Sequence, residues 1–564
     1  MYSENNLIES TIKLSPHYYF HHFMTIVEFV ITRYGDLFSE SENQILENFF
    51  NLPLNSQLIY VRLFNRRKNF FFEHDIRYKE IPDIPQGKRE LLNQNFIETQ
   101  TDCTILPEEC YSLISLGKAL NMGILKFSVS RKKLDEILKD NPFHLLFAGK
   151  IIRLNHTSFF ETVMLLFFGN SFLSMTDMVL TDLGIRKQEN YLISPQRLFN
   201  TRIELDQYLA DYKSYKKIKK DTRCISNSHL IELFNIFLKT DFSDLTTVKD
   251  ITVKYRGTYI KLKTLLFLIK ELVQLKLWSS EFSFQVLKLN ISFRFFFRLI
   301  KAQLSFFQTS KNRVLLWRYY SKINNSNHSL DFEEEIILEK LSSKLGFRKK
   351  EQIIDTQMIP LKRVSVEKGR VFYTQCDHTE KILTVENAVT EYLSDHGMNS
   401  LHTENILIPL LSDTLFHDEI FHDAGASFQS TYQEKPLDYF SSSFFDARKD
   451  LFTDRRAQLV SDETVWKNAV SKHFDENEKI SRKHLVEIID AVGIDAVCTL
   501  CIKFLTSPVF HNKGMPDLIV WNSYSYFFME VKSPGDRLNI HQRKWLEFMS
   551  ENNLNVKIGL IDEK

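Results

Sequence analysis

Three side chains near the C-terminus have the types and spacing needed for metal-assisted hydrolysis of a phosphodiester. Asp517 precedes a short apolar run, and Glu530 and Lys532 lie on the next apolar run. Two carboxylates offer the hard oxygen ligands that Mg²⁺ and Mn²⁺ prefer. A divalent ion held there polarises a phosphoryl oxygen and lowers the pKa of a bound water. A neighbouring lysine orients that water or neutralises charge that develops on the phosphate.

Two antiparallel strands are predicted to position these groups. The apolar run Leu518–Trp521 predicts a buried strand, and after a polar turn Tyr526–Lys532 predicts the returning strand. Because side chains alternate along a strand, Glu530 and Lys532 share one face. The short hairpin then brings Asp517 close to Glu530.

A helix and a third strand are predicted to follow the hairpin. Residues 540–549 have the spacing of an amphipathic helix on which Gln542 faces the site while Trp545 packs on the sheet. Residues 555–561 predict the third strand, so this unit is β-α-β and right-handed by default. A Pro-Asp pair or a Glu-x-Lys tripeptide alone is typical of a solvated strand edge, whereas the ordered combination favours a site.

Several short segments share an ordered pattern along the chain. They are Leu-Ser-Pro-His-Tyr-Tyr at 14–19, Leu-Ile-Tyr-Val-Arg-Leu-Phe-Asn-Arg at 58–66, Pro-Leu-Asp, Ser-Phe-Phe and Arg between 436 and 448, Gly-x-Pro-Asp-Leu-x-Val-Trp at 514–521, Glu-Val-Lys-x-Pro-x-Asp-Arg-Leu at 530–538 and Gln-x-x-Trp-Leu at 542–546. The last three resemble the VRR-NUC domain of the PD-(D/E)xK nuclease superfamily. The whole set resembles the Fanconi-associated nuclease family, and the compact length resembles a bacterial-type member.

The resemblance implies a multidomain, mostly α protein with a C-terminal α/β nuclease domain. A Phe count of 48 with only 16 Gly and 13 Pro independently favours long helices and large helical cores. The expected regions are an N-terminal helical, winged-helix-like DNA-binding region at 1–104, a SAP-like helical DNA-binding region at 105–205, a tetratricopeptide-like helical region at 206–365 and a VRR-NUC nuclease domain of the PD-(D/E)xK fold at 366–564.

The activity implied by the resemblance is that of a structure-selective, metal-dependent DNA nuclease. A 5′-flap endonuclease and 5′-to-3′ exonuclease serving interstrand crosslink repair is the leading interpretation. One alternative is a four-way-junction or restriction-type endonuclease with the same core, although the long helical body argues against a restriction enzyme. The other is a non-catalytic DNA-binding scaffold, against which the intact Asp517, Glu530 and Lys532 argue.

The resemblance also assigns roles to individual residues. Glu404 is expected to be the third acid, in the first turn of a helix that Thr403 caps, and the alternative is that it only stabilises the helix N-terminus. The expected metal ligands for Mg²⁺ or Mn²⁺ are Glu404, Asp517, Glu530 and the carbonyl of Val531. The expected catalytic lysine is Lys532, Gln542 would position the water, and Asp536 and Arg537 would support the site.

Basic residues in the helical body are candidates for DNA contacts. A pocket for the 5′-terminal phosphate is expected from Lys311, Arg313 and Arg318, because a guanidinium binds phosphate bidentately. The alternative is a solvated basic face. Further candidate contacts are Arg62, Arg66, Arg67 and Lys68 on an N-terminal helix, Arg131, Lys132 and Lys133 in the SAP-like region, and Arg294, Arg298 and Lys301 on one helix face.

Charge and cysteine content narrow the class of protein. Lys and Arg number 72 against 71 Asp and Glu, so a nuclease with this balance must gather its positive charge into patches. Six cysteines indicate no disulfide framework. The Cys498-x-x-Cys501 pair has helical periodicity and no second pair, so two buried helix cysteines are expected instead of a zinc or redox motif.

The N-terminus and the apolar runs predict a soluble chain. Residues 1–6 are polar and lack a signal-peptide layout, and no apolar stretch is long enough to span a bilayer. We expect a cytoplasmic protein associated with nucleoid DNA, or a nuclear one in a eukaryote. The partner is expected to be DNA, with no membrane association. Because no Cys/His cluster precedes Leu14, no ubiquitin-binding zinc finger is expected, and the oligomeric state stays open.

Overall fold

The computed structural model describes most of the chain. The described residues are 14–100, 119, 134, 137, 150–169, 175–185, 189–221, 225–245, 253–309, 312–326, 330–347, 354–367, 370–375, 382–441, 443–474 and 479–563. The expected SAP-like helices at 106–138, with Arg131, Lys132 and Lys133, lie outside them apart from the helical residues Ala119, Leu134 and Ile137. Within the described ranges, none of the helices has the length and apolar character that crossing a membrane requires.

The chain divides into two compact units. The first comprises Met1–Arg202 together with Phe428–Glu434, and the second comprises Ile203–Ser427 and Lys435–Lys564. The helices of the first unit are α1 (Tyr18–Tyr34), α2 (Glu40–Phe50), α3 (Leu54–Asn65), α4 (Ile84–Asn93), α5 (Thr157–Phe168) and α6 (Met175–Asp182), and its strands are β1 (Phe70–Phe72), β2 (Ile97–Gln100) and β3 (Ile151–Leu154).

The first unit combines a helical bundle with a small antiparallel sheet of order β1-β3-β2. The predicted helix at 56–64 and the predicted strand at Phe70–Phe72 are both present. An aromatic core holds the helices, since the Phe160 ring lies 5.3 Å from Phe23 and 5.5 Å from Phe49 between centroids. Helices followed by a three-stranded wing match the winged-helix-like prediction.

Arg62, one of the predicted DNA contacts, is instead part of this unit's interior. Its guanidinium donates to Oε1 of Glu80 through Nε, at 2.8 Å, and lies 3.9 Å from the centre of the Tyr19 ring. An arginine held by a carboxylate and an aromatic face is not available to a phosphate. Arg66, Arg67 and Lys68 at the end of α3 are exposed, so their proposed role is untouched.

A segment from much later in the chain completes the first unit. In Phe428–Glu434, the Phe428 ring stacks on Tyr191 with centroids 4.3 Å apart. The Ser194 N–H donates to the Phe428 carbonyl at 2.8 Å, and the Tyr191 hydroxyl donates to the Ser430 carbonyl at 2.9 Å. Backbone pairing and ring stacking together fix this segment to the first unit.

The second unit contains the remaining elements. Its helices are α7 (Arg202–Asp221), α8 (Asn227–Leu238), α9 (Val253–Gln274), α10 (Ser280–Leu287), α11 (Phe293–Ala302), α12 (Leu304–Thr309), α13 (Arg313–Asn324), α14 (Phe332–Leu345), α15 (Val385–Asp395), α16 (Leu407–Leu415), α17 (His417–Ile420), α18 (Lys449–Ser461), α19 (Glu463–His473), α20 (Arg482–Val492), α21 (Ile494–Thr506), α22 (Pro508–His511) and α23 (Ile540–Glu551). Its strands are β4 (Asp355–Glu367), β5 (Arg370–Gln375), β6 (Asn399–His402), β7 (Leu518–Trp521), β8 (Tyr526–Lys532) and β9 (Val556–Glu563).

The helices α8 to α14 share one hydrophobic core. The stripe predicted along α9 is buried, with Leu262, Leu265, Ile269 and Leu272 each fully covered. Further along the chain, Cys498 and Cys501 are buried on α21 and unpaired, as the periodicity predicted, and burial raises the pKa of Cys498 to about 12. A buried thiol with a raised pKa is neutral, which suits packing and not metal binding.

A mixed six-stranded sheet of order β5-β4-β9-β8-β7-β6 forms the centre of the C-terminal part. The predicted hairpin is present, with β7 and β8 antiparallel and Leu518 opposite Met529. The predicted β-α-β unit is also present, with β8 and β9 parallel and α23 between them. The strand β4, which sequence reasoning missed, pairs in parallel with β9 and spans the expected domain boundary between 365 and 366.

The Pro-Leu-Asp and Arg segments meet in a buried ion pair. Asp438 and Arg448 have side-chain exposures of 2% and 0%, with Nη1 of Arg448 2.6 Å from Oδ2 of Asp438. The same guanidinium donates to the His422 carbonyl at 2.9 Å and to the Phe444 carbonyl at 3.3 Å. These contacts fold the irregular segment between α17 and α18, so the motif is a structural one here.

Candidate active site

The turn that carries Glu404 differs from the predicted helix start. Residues Asn399–His402 form the strand β6, paired antiparallel with β7 so that His402 lies opposite Leu518. The helix α16 begins only at Leu407, and no side chain caps it, so the predictions that Glu404 lies in its first turn and that Thr403 caps it are wrong. Sheet pairing therefore places Glu404 at the site.

Two hydrogen bonds tie this turn to the loop before β7. The Thr403 N–H donates to the Asp517 carbonyl at 2.9 Å. Asn405, in the left-handed region at φ +56°, donates to Oε1 of Glu404 at 3.1 Å and accepts from the Met515 N–H at 3.4 Å. Asparagine tolerates this backbone conformation better than most residues. Its amide therefore orients the exposed Glu404 carboxylate beside Asp517.

Asp517 is fixed by the neighbouring strand. Its Oδ2 accepts the Val531 N–H at 2.8 Å. Burial raises the pKa of Asp517 to about 6, and the nearby Glu404 adds to that shift, while the Val531 N–H and Lys532 oppose it. A raised carboxyl pKa beside other acids indicates a place where negative charge is crowded and where a cation is stabilised.

Glu530, Lys532 and Gln542 form a connected group. Lys532 Nζ lies 2.9 Å from Oε1 of Glu530 and 3.1 Å from Oε1 of Gln542. The Gln542 amide donates to the same Glu530 oxygen at 2.5 Å. Burial and then Asp517 raise the pKa of Glu530 to about 8, against the opposing effect of Lys532. The predicted sharing of one face by Glu530 and Lys532 is confirmed.

Helix capping sets the position of Gln542. Asn539 accepts the Gln542 N–H at 3.0 Å, and Oε1 of Gln542 accepts the Asn539 N–H at 2.9 Å, which makes a reciprocal capping box at the start of α23. Gly514 lies against this turn at φ +74°, and a Cβ there would be 2.6 Å from the Gln542 backbone nitrogen. One loop therefore supplies Asp517 and leaves room for the helix that carries Gln542.

The donor set fits a divalent cation. Ligand atoms of His402, Glu404 and Asp517 lie within 4.8 Å of one another. Oε2 of Glu530 is buried and has no hydrogen-bond partner in the described part of the chain. A buried, unpartnered carboxylate oxygen is costly unless a cation binds it. Sequence reasoning missed His402, although its place two residues ahead of Glu404 was a usable signal.

The remaining predicted site residues lie around this group. Asp536 closes the turn after β8, since its Oδ2 accepts the Ser533 N–H at 3.3 Å, and it is exposed together with Arg537. Support by Asp536 and DNA contact by Arg537 stay predictions, as does metal ligation by the Val531 carbonyl. The Val531 N–H is engaged by Asp517, as described above.

The predicted phosphate pocket is separate from the carboxylate site in sequence. Arg313 and Arg318 are exposed on α13, and Lys311 lies outside the described residues. Arg313 lines a shallow apolar recess with the half-exposed Trp317. On the other basic face, Arg298 donates to the Tyr259 hydroxyl at 3.0 Å and Lys301 forms an ion pair with Glu333.

Two family models match the chain. The model described as "FAN1, HTH domain" matches residues 17–98, and "VRR-NUC domain" matches residues 456–559. The first covers the helices and strands that form the winged-helix-like part, and the second covers Asp517, Glu530, Lys532 and Gln542.

Relatives match along nearly the whole chain. The Fanconi-associated nuclease 1 homologs of Schizosaccharomyces pombe and Pseudomonas aeruginosa are each 22% identical, over 95% and 96% of this chain and 90% and 95% of their own lengths. Fanconi-associated nuclease 1 of Homo sapiens is also 22% identical over 96% of this chain, which spans 62% of that longer protein.

Solved structures show the same fold. A crystal structure of paFAN1 bound to 5′-flap DNA with a 2-nucleotide flap and a gap superposes with a TM-score of 0.72 at 20% identity, covering 98% of this chain and 99% of that one. A second paFAN1 structure, with a 1-nucleotide flap, gives a TM-score of 0.69 at 22% identity over 98% and 100%.

Proposed function

We infer that, because this chain belongs to the Fanconi-associated nuclease family, its C-terminal site hydrolyses DNA phosphodiesters with the help of a divalent cation. One observation carries the proposal. Acids from two distant segments, Glu404 and Asp517, lie beside Glu530, whose Oε2 is buried without a partner, and Lys532 stands next to that glutamate. A structural ion pair needs no such collection of carboxylates.

Four carboxylate and imidazole side chains would hold the cation. They are His402, Glu404, Asp517 and Glu530, and when bound the ion supplies Lewis-acid polarisation of the phosphate and a more acidic water. Asp517 presents its second oxygen because Val531 engages the first. Gln542 and Lys532 engage Oε1 of Glu530 and leave Oε2 toward the site.

Lys532 is the residue that acts on the reacting groups. Its ammonium is held between Glu530 and Gln542, so its direction is fixed before the substrate arrives. From there it orients the attacking water and neutralises charge on the phosphate oxygens. The water adds to phosphorus in line, the bond to the 3′ oxygen breaks, and the product keeps a 5′-phosphate.

The imidazole of His402 bears on the choice of metal. A site made only of carboxylates suits Mg²⁺ and Mn²⁺ alike, whereas an added imidazole favours the transition ion. His402 belongs to the group of ligand atoms within 4.8 Å. We therefore propose that Mn²⁺ supports cleavage better than Mg²⁺ and that His402→Ala narrows the difference.

The proposed substrate is a 5′ flap on branched DNA, and the proposed duty is interstrand crosslink repair. Support comes from the relatives that are named Fanconi-associated nucleases and from the paFAN1 structures bound to 5′-flap DNA. The exposed Arg313 and Arg318, with the neighbouring Trp317, offer guanidinium groups and an aromatic ring for the flap end.

A cleavage assay on four substrates tests this proposal. Labelled 5′ flap, 3′ flap, four-way junction and linear duplex are incubated with the full chain in Mn²⁺, in Mg²⁺ and in EDTA. We expect metal-dependent cutting with the 5′ flap preferred, and loss of cutting in Asp517→Ala. Asp562→Ala removes an exposed carboxylate at the end of β9 and is the matched control that keeps activity.

Other outcomes point to the other candidates. A preference for four-way junctions would replace flap cleavage by junction resolution. Binding of branched DNA without any metal-dependent cutting would favour the non-catalytic scaffold. Cutting that survives in Asp517→Ala would place the chemistry elsewhere in the chain.

A further inference from the structure

A second cluster of metal-ligand side chains lies outside the carboxylate site. His417 and Asp418 begin the short helix α17, and His473 ends α19. Their ligand atoms lie within 4.8 Å of one another. The cluster joins two segments that are far apart in sequence, and no part of the proposed nuclease reaction uses it.

The distances suit a tetrahedral ion. Oδ1 of Asp418 lies 3.2 Å from Nδ1 of His417 and 3.5 Å from Nε2 of His473. Zinc bonds of roughly 2.0–2.1 Å in a tetrahedron place neighbouring ligand atoms about 3.3–3.5 Å apart. The two imidazoles stack, with centroids 3.9 Å apart and ring planes 18° from parallel, so both present a nitrogen toward the same carboxylate oxygen.

Burial leaves room for a fourth ligand. The His417 and His473 side chains are 12% and 10% exposed, whereas Asp418 is 62% exposed. The imidazoles are therefore held in place by packing, and the position opposite them opens to solvent. Lys472 lies 3.8 Å from the other Asp418 oxygen, so it leaves Oδ1 to the cluster.

We propose that His417, Asp418 and His473 bind one Zn²⁺ ion, with water as the fourth ligand. Two imidazoles and one carboxylate select zinc over magnesium, because magnesium requires octahedral oxygen coordination. The neighbouring Glu419 carboxylate, 16% exposed, adds negative charge that balances the ion. The alternative, in which Asp418 only accepts hydrogen bonds from the two rings, needs no metal and is what the experiment distinguishes.

The ion would fasten the helix that follows the catalytic turn. Glu404 lies just ahead of α16, and α16 ends two residues before His417. The same helix packs on α19 and α21. A zinc bridge from the end of α16 to the end of α19 would hold this pair together without touching the reacting groups.

Zinc retention tests the proposal without a nuclease assay. The full chain carrying Asp517→Ala, which removes a ligand of the other candidate group, is loaded with Zn²⁺ in excess Mg²⁺, desalted and analysed for zinc. We expect about one zinc per chain, as for a structural site, and loss to background in His417→Gln and in His473→Gln. His422→Gln, which changes an exposed histidine outside the cluster, is the matched control and should keep the zinc.

A melting experiment keeps the result interpretable if a variant folds poorly. Zn²⁺ should raise the Tm of the Asp517→Ala parent and of His422→Gln, and should leave Asp418→Asn unchanged while each protein keeps a cooperative transition. No zinc above background in the parent would overturn the proposal. Equal zinc in the parent and in His473→Gln would overturn it as well.

Discussion

Gln542 links the helix start to the two side chains at the centre of the site. Its amide group contacts Glu530 and Lys532 while it also completes the capping box with Asn539. We expect Gln542→Ala to lower kcat by about 10–100-fold, the usual loss when a partner of a metal ligand is removed. Steady-state cleavage of the preferred substrate measures this.

The control separates positioning from helix stability. Asn539→Ala removes the cap and costs about 1 kcal/mol of folding free energy, but leaves the amide of Gln542 next to Glu530. If Asn539→Ala lowered kcat as much as Gln542→Ala, the loss would come from the helix and not from contact with Glu530 and Lys532.

Gly514 and Gly535 form a matched pair for testing a close approach. Both have positive φ, +74° and +88°, but a Cβ at Gly514 would meet the backbone of α23 at 2.6 Å, whereas nothing lies within 4 Å of Gly535. We expect Gly535→Ala to cost about 1 kcal/mol, the left-handed penalty alone. Gly514→Ala should cost more and should also lower cleavage; equal costs in urea unfolding would contradict the clash.

At this scale, the sequence predicts the site where the local pattern is strong. Apolar runs on both sides of a polar turn are enough to predict that Glu530 and Lys532 share a face. Glu404 was chosen correctly as a neighbour of Asp517, yet for the wrong local structure. Asn399–His402 has neither alternation nor β-branched residues, so only its pairing with β7 makes it a strand.

Buried and exposed ion pairs give a contrast at the scale of elements. Arg448 pairs with Asp438 in the interior, whereas Arg456 pairs with Asp495 at the surface, where the side chains are 39% and 63% exposed. We expect Arg448→Met to cost about 3–5 kcal/mol, because it leaves a buried carboxylate unpaired. Arg456→Met should cost less than about 1 kcal/mol.

Urea unfolding of the two variants measures this difference. Similar losses in Arg448→Met and Arg456→Met would show that the segment between α17 and α18 does not depend on the buried pair. A change in the slope of the transition would indicate instead that the unfolding is no longer two-state.

The helix α14 docks against the C-terminal elements through a neutral histidine. The Phe332 N–H donates to Nε2 of His511 at 3.3 Å, and Phe332 and Trp545 share one hydrophobic core. Burial lowers the pKa of His511 from 6.5 to about 3. Its folded-state pKa is below the unfolded value, so the neutral form stabilises the fold above pH 6.5, and this contribution is lost as the pH falls toward 3.

We therefore expect the stability advantage of the natural chain over His511→Gln to depend on pH. The advantage should be largest near pH 7 and should shrink steadily down to pH 4, because glutamine does not titrate. Chemical unfolding at several pH values measures the difference. A gap that stays constant would mean that His511 is protonated as easily in the folded chain as in the unfolded one.

Elements that lack a local signature were the ones that the sequence did not predict. The strand β4 contains Pro360, which argues against a strand in the interior of a sheet. The structure accommodates it because β5 pairs with β4 only from Leu361 onward, so Pro360 lies where one neighbour is missing. Arg62 shows the same limit, since its partner Glu80 comes from a distant turn.

At the scale of the molecule, the first unit is incomplete without a late segment. The Tyr34 hydroxyl donates to Gln429 at 3.0 Å in a buried position, and Phe428 stacks on Tyr191. We expect a fragment of residues 1–202 to melt at a lower temperature than with a synthetic peptide covering 426–436 added, since a ligand that binds only the folded form stabilises it.

Two further peptides make that test specific. A scrambled peptide and one with Phe428→Ala should leave the Tm of the fragment unchanged. An equal rise with all three would show non-specific binding, and no rise with the natural peptide would mean that residues 1–202 are complete by themselves.

The chain route through Phe428–Glu434 also governs when the first unit can mature during translation. Domains commonly fold in order from the N-terminus as the ribosome releases them. Here the N-terminal unit must wait until the segment ending at Glu434 has emerged, more than two hundred residues after Arg202. Nascent chains of this protein therefore expose the Tyr34 and Tyr191 surface for much of their synthesis, which makes that surface a natural binding place for chaperones.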